Sequence, residues 1–483
     1  MTPRRARAVM VCGTTSGAGK SLIATALCRW YARRGLQVAP FKSQNMSNNA
    51  RVVAGGEIGS AQYFQALAAR CVPEVRMNPV LLKPERDDQS QVILLGQRHD
   101  EFSRMDWRGR SERLWPAARQ ALHELMAENE LVVIEGAGSP AEINLHASDI
   151  VNMRVACEAG AAVLLASDID RGGSFAHLYG THQLLPPEER ALIRGFLLNK
   201  FRGDAGLLAP GPAMLQELTG VPTVGVLPMV RGHGLPEEDG VQGGSLEAAP
   251  RGAGAGPVLR IAVVAYPRIS NLDEFQPLVG LPGVQLVWAR EPGAADAADW
   301  LILPGSKHVA EDLRWLRQTG LDAAIGRHVR SAKPLLAICG GLQMLGRELQ
   351  DPQGVEGSGK GLGLLALATR YDAAKIQRRA RLQLRGASGC WAALDGLAFD
   401  AYEIRHGRSA LLEAAAATPV LPDGAGWQQG SLLALYAHGL FEDSGVMRAL
   451  FGAEVASLDS RFERLADLVE AHVDTGFLES LVA

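Results

Sequence analysis

At 483 residues the chain is too long for one ordinary core, and two or three domains are expected. With 47% hydrophobic and 21% charged residues and a net charge of -3, it has the balance of a soluble globular protein and lacks the basic surplus of a nucleic-acid binder. Its six cysteines form no CxxC pair and are too sparse for a disulfide scaffold, which excludes the usual zinc motifs and fits a reducing cytoplasm.

The first apolar run, Ala8–Cys12, is too short for a leader or a membrane span and reads as a buried strand. Directly after it comes Gly13-Thr-Thr-Ser-Gly-Ala-Gly-Lys-Ser21, then helical spacing over Ser21–Arg34. A strand, a glycine-rich loop and a helix start together form a phosphate cradle. The glycines let backbone N–H groups converge, and the helix N-terminus adds partial positive charge. Thus Gly13, Thr14, Thr15, Ser16, Gly17, Ala18 and Gly19 are the expected cradle, with Lys20 on the terminal phosphates and Ser21 on Mg²⁺. The loop is one residue longer than the usual spacing between its outer glycines, yet a plain helix-capping turn would not explain the Lys-Ser pair.

Further strands are expected at Gln37–Pro40, Leu131–Ile134, Ala162–Ala166 and Gly195–Leu198. Glu135 ends one of them at a small-residue turn and is the expected carboxylate for Mg²⁺. Lys42 follows the second strand and is placed to meet phosphate. Asp168 and Asp170 follow another strand in the same way. Asn199 follows a fourth and is a candidate for an adenine edge, though an Asn there is also a common turn residue.

From Pro236 to Pro257 the sequence is rich in Gly, Pro, Ala and acidic residues, a linker signature. The α/β rhythm then restarts with strands expected at Leu259–Ala265, Gln285–Trp288, Trp300–Leu303, Leu335–Ile338 and Leu432–Ala437. The expected fold class is therefore α/β, with two α/β domains at 1–235 and 258–450 and a helical tail over 451–483. In the second domain, Cys339 stands at a sharp strand-to-helix turn flanked by Gly340 and Gly341, the cysteine form of a nucleophile elbow. The Gly340 N–H and donors from the Leu303-Pro-Gly305-Ser306-Lys307 turn are the expected oxyanion hole, and His438 the expected base. Cys12, Cys28, Cys71, Cys157 and Cys390 read as small apolar residues.

The elbow, the LPGSK turn and the Tyr436-Ala-His438 segment resemble the class I glutamine amidotransferase domain, and the phosphate loop resembles that of dethiobiotin synthetase-like ATPases. Joined in this order, and with the stretches Pro40–Asn49, Glu57–Gln62, Met77–Pro84, Glu135–Ser139, Asp149–Met153 and Asp168–Gly173, they resemble the cobyric acid synthase family. The resemblance implies an N-terminal P-loop domain, a C-terminal class I glutaminase-like domain, and ATP and Mg²⁺ as cofactors. It also implies glutamine and a polycarboxylate corrin, adenosylcobyrinic acid a,c-diamide, as substrates, amidated at the b, d, e and g carboxylates through acyl phosphates. Asp149 is the family-like candidate for a carboxylate near the activated intermediate, with a helix N-cap as its alternative role. A homo-oligomer is compatible with all of this. A sister synthase making the a,c-diamide, or a regulatory ATPase with an inactive glutaminase-like domain, are the alternative readings.

Two departures from the family pattern stand out. Leu440 occupies the place of the usual triad Glu, so a Cys–His dyad is expected, with Glu442 and Asp443 nearby. In Tyr402-Glu-Ile-Arg-His-Gly407 the His is displaced by one, which leaves Glu403 the safer residue to carry over than His406.

Overall fold

The structure is a computed structural model that describes residues 6–86, 89–230, 232–235, 258–413, 416–454 and 456–483. The linker expected at 236–257 lies outside the described residues. Short apolar runs separated by helices produce two open sheets. In the first, the strands lie in the order Thr223–Pro228, Ile193–Phe201, Ala162–Asp168, Arg7–Gly13, Leu131–Glu135 and Val38–Phe41. All of these pairs are parallel. Arg7–Gly13 is central, with its neighbours reached by crossovers to either side. The ends of Arg7–Gly13, Leu131–Glu135 and Ala162–Asp168 therefore open on one crevice, where ligands of doubly wound sheets bind.

The second sheet has the order Val284–Ala289, Leu259–Val264, Trp300–Leu303, Leu335–Ile338, Leu432–Leu435, Gly426–Gln429 and Thr418–Leu421. Its first five strands are parallel and the last two turn back antiparallel. Most apolar strand residues are buried, as a sheet covered on both faces requires. Each expected strand appears within three residues of its place. The last one ends at Leu435, because Tyr436 onward leaves the sheet to carry His438.

Sequence reading missed several elements. A small sheet joins Gln44–Met46, Val80–Arg86, Gln89–Leu94 and Gln97–Arg98. In the second domain, Leu367–Gln383 and Ala398–Leu411 form a long antiparallel pair. The tail also packs in an unexpected place. Helix Leu458–His472 carries Phe462, Leu465, Ala466 and Val469 on one stripe and lays them on Ile23, Leu27 and Trp30 of the helix Lys20–Arg33. Each large apolar side chain so buried contributes about 2 kcal/mol. Arg29 bonds Asp459 at 2.7 Å and Glu463 at 2.9 Å across this contact, and Trp30 Nε1 donates to Glu470 at 2.7 Å. The end of the chain thus braces the helix that begins at the phosphate loop. Among the described residues no helix is long and apolar enough to cross a membrane.

Candidate active sites

The loop after Arg7–Gly13 curls through Gly17 at φ 71° and Gly19 at φ 92°, both in the left-handed region that favours glycine. Lys20 is buried at the start of its helix, and its Nζ donates to the carbonyls of Thr15 and Gly138, each at 3.1 Å. Asn199 donates to the Ala18 carbonyl at 2.9 Å, so it lies beneath the loop and fixes its curl. Thr14 is tied to the neighbouring strand through the Ser167 hydroxyl at 3.0 Å.

Glu135 is fully buried at the end of its strand. It accepts from Ser21 Oγ at 2.9 Å and pairs with Lys42 Nζ at 2.9 Å through the same Oε1. Its other oxygen accepts from Gln65, and from Gln62 at 3.4 Å. Burial works against the charge, but Lys42 and the donated hydrogen bonds outweigh it and hold the carboxyl below its ordinary pKa. The sequence-predicted Lys20, Ser21, Lys42 and Glu135 are therefore brought together. Ser21 and Glu135 offer two hard oxygens side by side, and no group of three or more metal-ligating side chains exists among the described residues. That donor set suits Mg²⁺, which keeps waters and phosphate oxygens, and not a cation that needs a full protein cage.

Asp149 is half-buried. It accepts from the N–H groups of Val151 at 2.7 Å and Asn152 at 3.2 Å, and from the Asn152 side chain at 2.9 Å. Asn152 in turn clips both sides of Ala137, at 3.0 Å to its nitrogen and 2.9 Å to its oxygen. Asp149 thereby orders the turn that follows Glu135. Asp168 pairs with Lys200 at 3.1 Å on the other side of the crevice.

In the second domain Cys339 has φ 51° and ψ −105°, a strained conformation for a non-glycine residue that projects it at the head of the helix Gly340–Leu345. The close approach behind it requires Gly340, where a Cβ would come within 2.6 Å of the Ser306 nitrogen. The backbone N–H groups of Gly340 and Ser306 are therefore neighbours. The Ser306 hydroxyl donates to Asp312 at 2.6 Å, so what Ser306 can offer an oxyanion is its N–H. Gly305 likewise has no room for a side chain, with Ser270 Oγ at 2.7 Å and His438 Cε1 at 3.2 Å from where a Cβ would be. The thiol donates toward the Ile404 carbonyl at 3.7 Å and lies close enough to His438 to help raise the imidazole pKa.

His438 is buried, and its Nδ1 lies 3.0 Å from Glu274 Oε1. Burial pushes the imidazole pKa down. The neighbouring Glu274 carboxylate and Cys339 overcome this and raise it to about 10. Glu274 thus joins Cys339 and His438 as a third member, bonded to the imidazole. Sequence reading missed Glu274 because it looked after His438. There, Leu440 is in the core, Glu442 is engaged by Arg51 at 2.6 Å and Asp443 caps the helix Ser444–Phe451. Glu274 comes instead from the turn after the first strand of its domain, where the mixed sequence Asn271-Leu-Asp-Glu-Phe-Gln276 carries no motif that would single it out.

The Tyr402–Gly407 stretch lines this site. Tyr402 stacks on His438 with ring centroids 5.0 Å apart. Glu403 bonds Arg378 at 2.6 Å and Arg405 at 2.8 Å, a bracing role. His406 bonds the Asp372 carbonyl at 3.0 Å, and burial with Lys375 nearby pushes its pKa down to about 4. Cys12 and Cys28 are buried as expected, whereas Cys157 and Cys390 are exposed because they lie on the outer faces of short helical turns.

Residues 9–236 match the family model of the CobQ/CobB/MinD/ParA nucleotide binding domain, and residues 260–446 that of the CobB/CobQ-like glutamine amidotransferase domain. The chain is 63% identical over 501 aligned residues to "Cobyric acid synthase" of Leptothrix cholodnii, covering 99% of this chain and 97% of the relative. It is 59% identical over 505 aligned residues to "Cobyric acid synthase" of Polaromonas sp. strain JS666, with both covered in full. The chain belongs to the cobyric acid synthase family. Within that family assignment, Glu274 makes a direct prediction. Glu274→Gln should lower kcat for glutamate release from glutamine about a hundred-fold, since the imidazole loses the charge that orients it. The imidazole pKa should fall from its raised value, so the high-pH limb of the profile should move to lower pH. Unchanged kcat and profile would return Glu274 to a buried structural partner.

Proposed function

We propose that this chain amidates the b, d, e and g carboxylates of adenosylcobyrinic acid a,c-diamide, using one ATP and one glutamine for each. The observation that carries the reading is the pairing of two complete sites in one chain of this family. One site holds Lys20, Ser21, Lys42 and Glu135, and the other holds Cys339, His438 and Glu274.

A carboxylate resists attack because its charge repels nucleophiles and oxide is a poor leaving group. Transfer of the terminal phosphate from ATP makes an acyl phosphate. The N–H groups of the Gly13–Gly19 loop and Lys20 hold the phosphates in line, and Lys42 stabilises the charge on the transferred group. Mg²⁺, held by Ser21 and Glu135, neutralises phosphate charge when bound. Asp149 keeps the turn beyond Glu135 in register beside the activated carboxyl.

In the second domain the Cys339 thiolate attacks the glutamine amide, and the N–H groups of Gly340, Ser306 and Gly305 hold the oxyanion. His438 gives a proton to the departing ammonia and then takes one from water to release glutamate. Glu274 keeps the imidazole oriented throughout and stabilises its charged form before the first step and after the second. Ammonia then displaces phosphate from the acyl phosphate. ADP release tests the reading. It should depend on the a,c-diamide corrin, and ADP release indifferent to the corrin would overturn the substrate assignment.

A further inference from the structure

The nucleotide domain reaches into the surroundings of His438. Its residues Asn49, Ala50 and Arg51 lie against the Asn271–Glu274 turn of the second domain and bond it reciprocally. The Leu272 N–H donates to Asn49 Oδ1 at 2.9 Å, and the Ala50 N–H donates to Asn271 Oδ1 at 3.1 Å. Asn271 is in the left-handed region at φ 56°, a conformation that its own amide bonding and these contacts sustain. Its side-chain nitrogen lies 3.3 Å from His438 Nε2.

Arg51 is buried and makes the strongest of these contacts. Its Nε donates to Asp273 at 2.8 Å, and its Nη2 also pairs with that carboxylate. Nη1 and Nη2 reach the two oxygens of Glu442 at 3.0 Å and 2.6 Å. The guanidinium also lies 4.7 Å from the centre of the Tyr402 ring, whose stacking on His438 is nearly parallel at 18°. Two groups hold the catalytic imidazole, Glu274 through Nδ1 and Tyr402 through its ring. Arg51 touches the residue beside the first and the ring of the second.

We propose that Arg51, although part of the nucleotide domain, is a positioning residue of the glutaminase, acting through Asp273–Glu274 and Tyr402 on His438. The inference rests on the glutaminase reading of Cys339 and His438. The other end of the same segment explains what the arrangement achieves. Lys42 pairs with Glu135, and Asn45 donates at 3.1 Å to Gln62, which itself bonds Glu135. One short stretch, from Lys42 to Arg51, thus spans from the phosphate site to the histidine of the other site. The orientation of His438 thereby depends on an ordered nucleotide domain. Glu57, held within its own domain by Lys83 at 2.6 Å, pairs with Lys375, and Lys307 pairs with Glu85 at 3.0 Å; these two ion pairs tie the domains together elsewhere, so docking survives changes at Arg51.

The test measures glutamate release from glutamine, across pH, in the full chain carrying Arg51→Ala or Arg51→Lys. Ammonia-driven ADP release on the corrin is followed in parallel. Arg51→Ala should lower kcat for glutamate release about a hundred-fold with KM for glutamine within about three-fold. Its high-pH limb should move down, and ammonia-driven ADP release should stay within about two-fold. Arg51→Lys should recover part of kcat, because it keeps the charge beside Asp273 and loses the fork to Glu442. Unchanged glutamate release in both variants would overturn the proposal. So would an equal fall of glutamine-driven and ammonia-driven reactions with no shift in the pH profile, which would make Arg51 a general scaffold contact. If Arg51→Ala does not fold, Arg51→Lys decides between the same outcomes. Absence of ammonia-driven ADP release in the unaltered protein would count against the corrin assignment alone, since glutamate release needs no acceptor.

Discussion

Cys339→Ala should reduce glutamine-dependent amide formation by more than about four orders of magnitude, while amide formation from added ammonium salts stays within about two-fold. The size of the first effect follows from chemistry. No other thiol can replace Cys339: among the described residues only Cys339 stands at a strained strand-to-helix turn beside a buried histidine. The second effect follows from architecture, since the residues proposed to hold phosphate, Lys20, Ser21, Lys42 and Glu135, belong to the other sheet and its flanking elements. The check is the rate of corrin amidation with each nitrogen source at matched enzyme concentration. A variant that loses both activities equally would contradict the division into two sites.

Lys20→Ala should have the mirror-image outcome. Amidation should fall at least about a thousand-fold with glutamine and with ammonia alike, because both need the same activated carboxylate. Phosphoryl transfer depends on positioning and charge, and Lys20 is the buried cation at the loop's helix start. Glutamate release should persist, since Cys339, His438 and Glu274 lie on other elements. Steady-state ADP and glutamate assays on one preparation separate these effects. Loss of glutamate release with a preserved fold would show that the coupling between domains depends on Lys20 itself.

Much of this was legible in the sequence because local geometry dictates it. A phosphate loop needs glycines, a lysine and a helix start in fixed order, and a nucleophile elbow needs small residues beside the cysteine. Those constraints sit within about ten consecutive residues, and the structure places Gly13–Ser21 and Cys339–Gly341 on those elements. Glu274 was not legible, because a carboxylate 164 positions before His438 meets it only through the fold. The long pair Leu367–Gln383 with Ala398–Leu411 was missed for a related reason. Its first strand is rich in Arg and Gln and half-exposed, and the connection between the two is too long for a hairpin signal. The apolar stripe of Leu458–His472 predicts a packed helix but not its partner. Only the three-dimensional arrangement shows that it covers the helix Lys20–Arg33 of the first domain.

The most direct test of the whole account is mass analysis of the corrin after turnover of the a,c-diamide with ATP and glutamine carrying a heavy amide nitrogen. The account predicts a ladder of successively amidated products ending with the b, d, e and g carboxylates converted, each new amide carrying the heavy nitrogen. ATP consumption that leaves the diamide unchanged, or new amides that lack the heavy nitrogen, would contradict it.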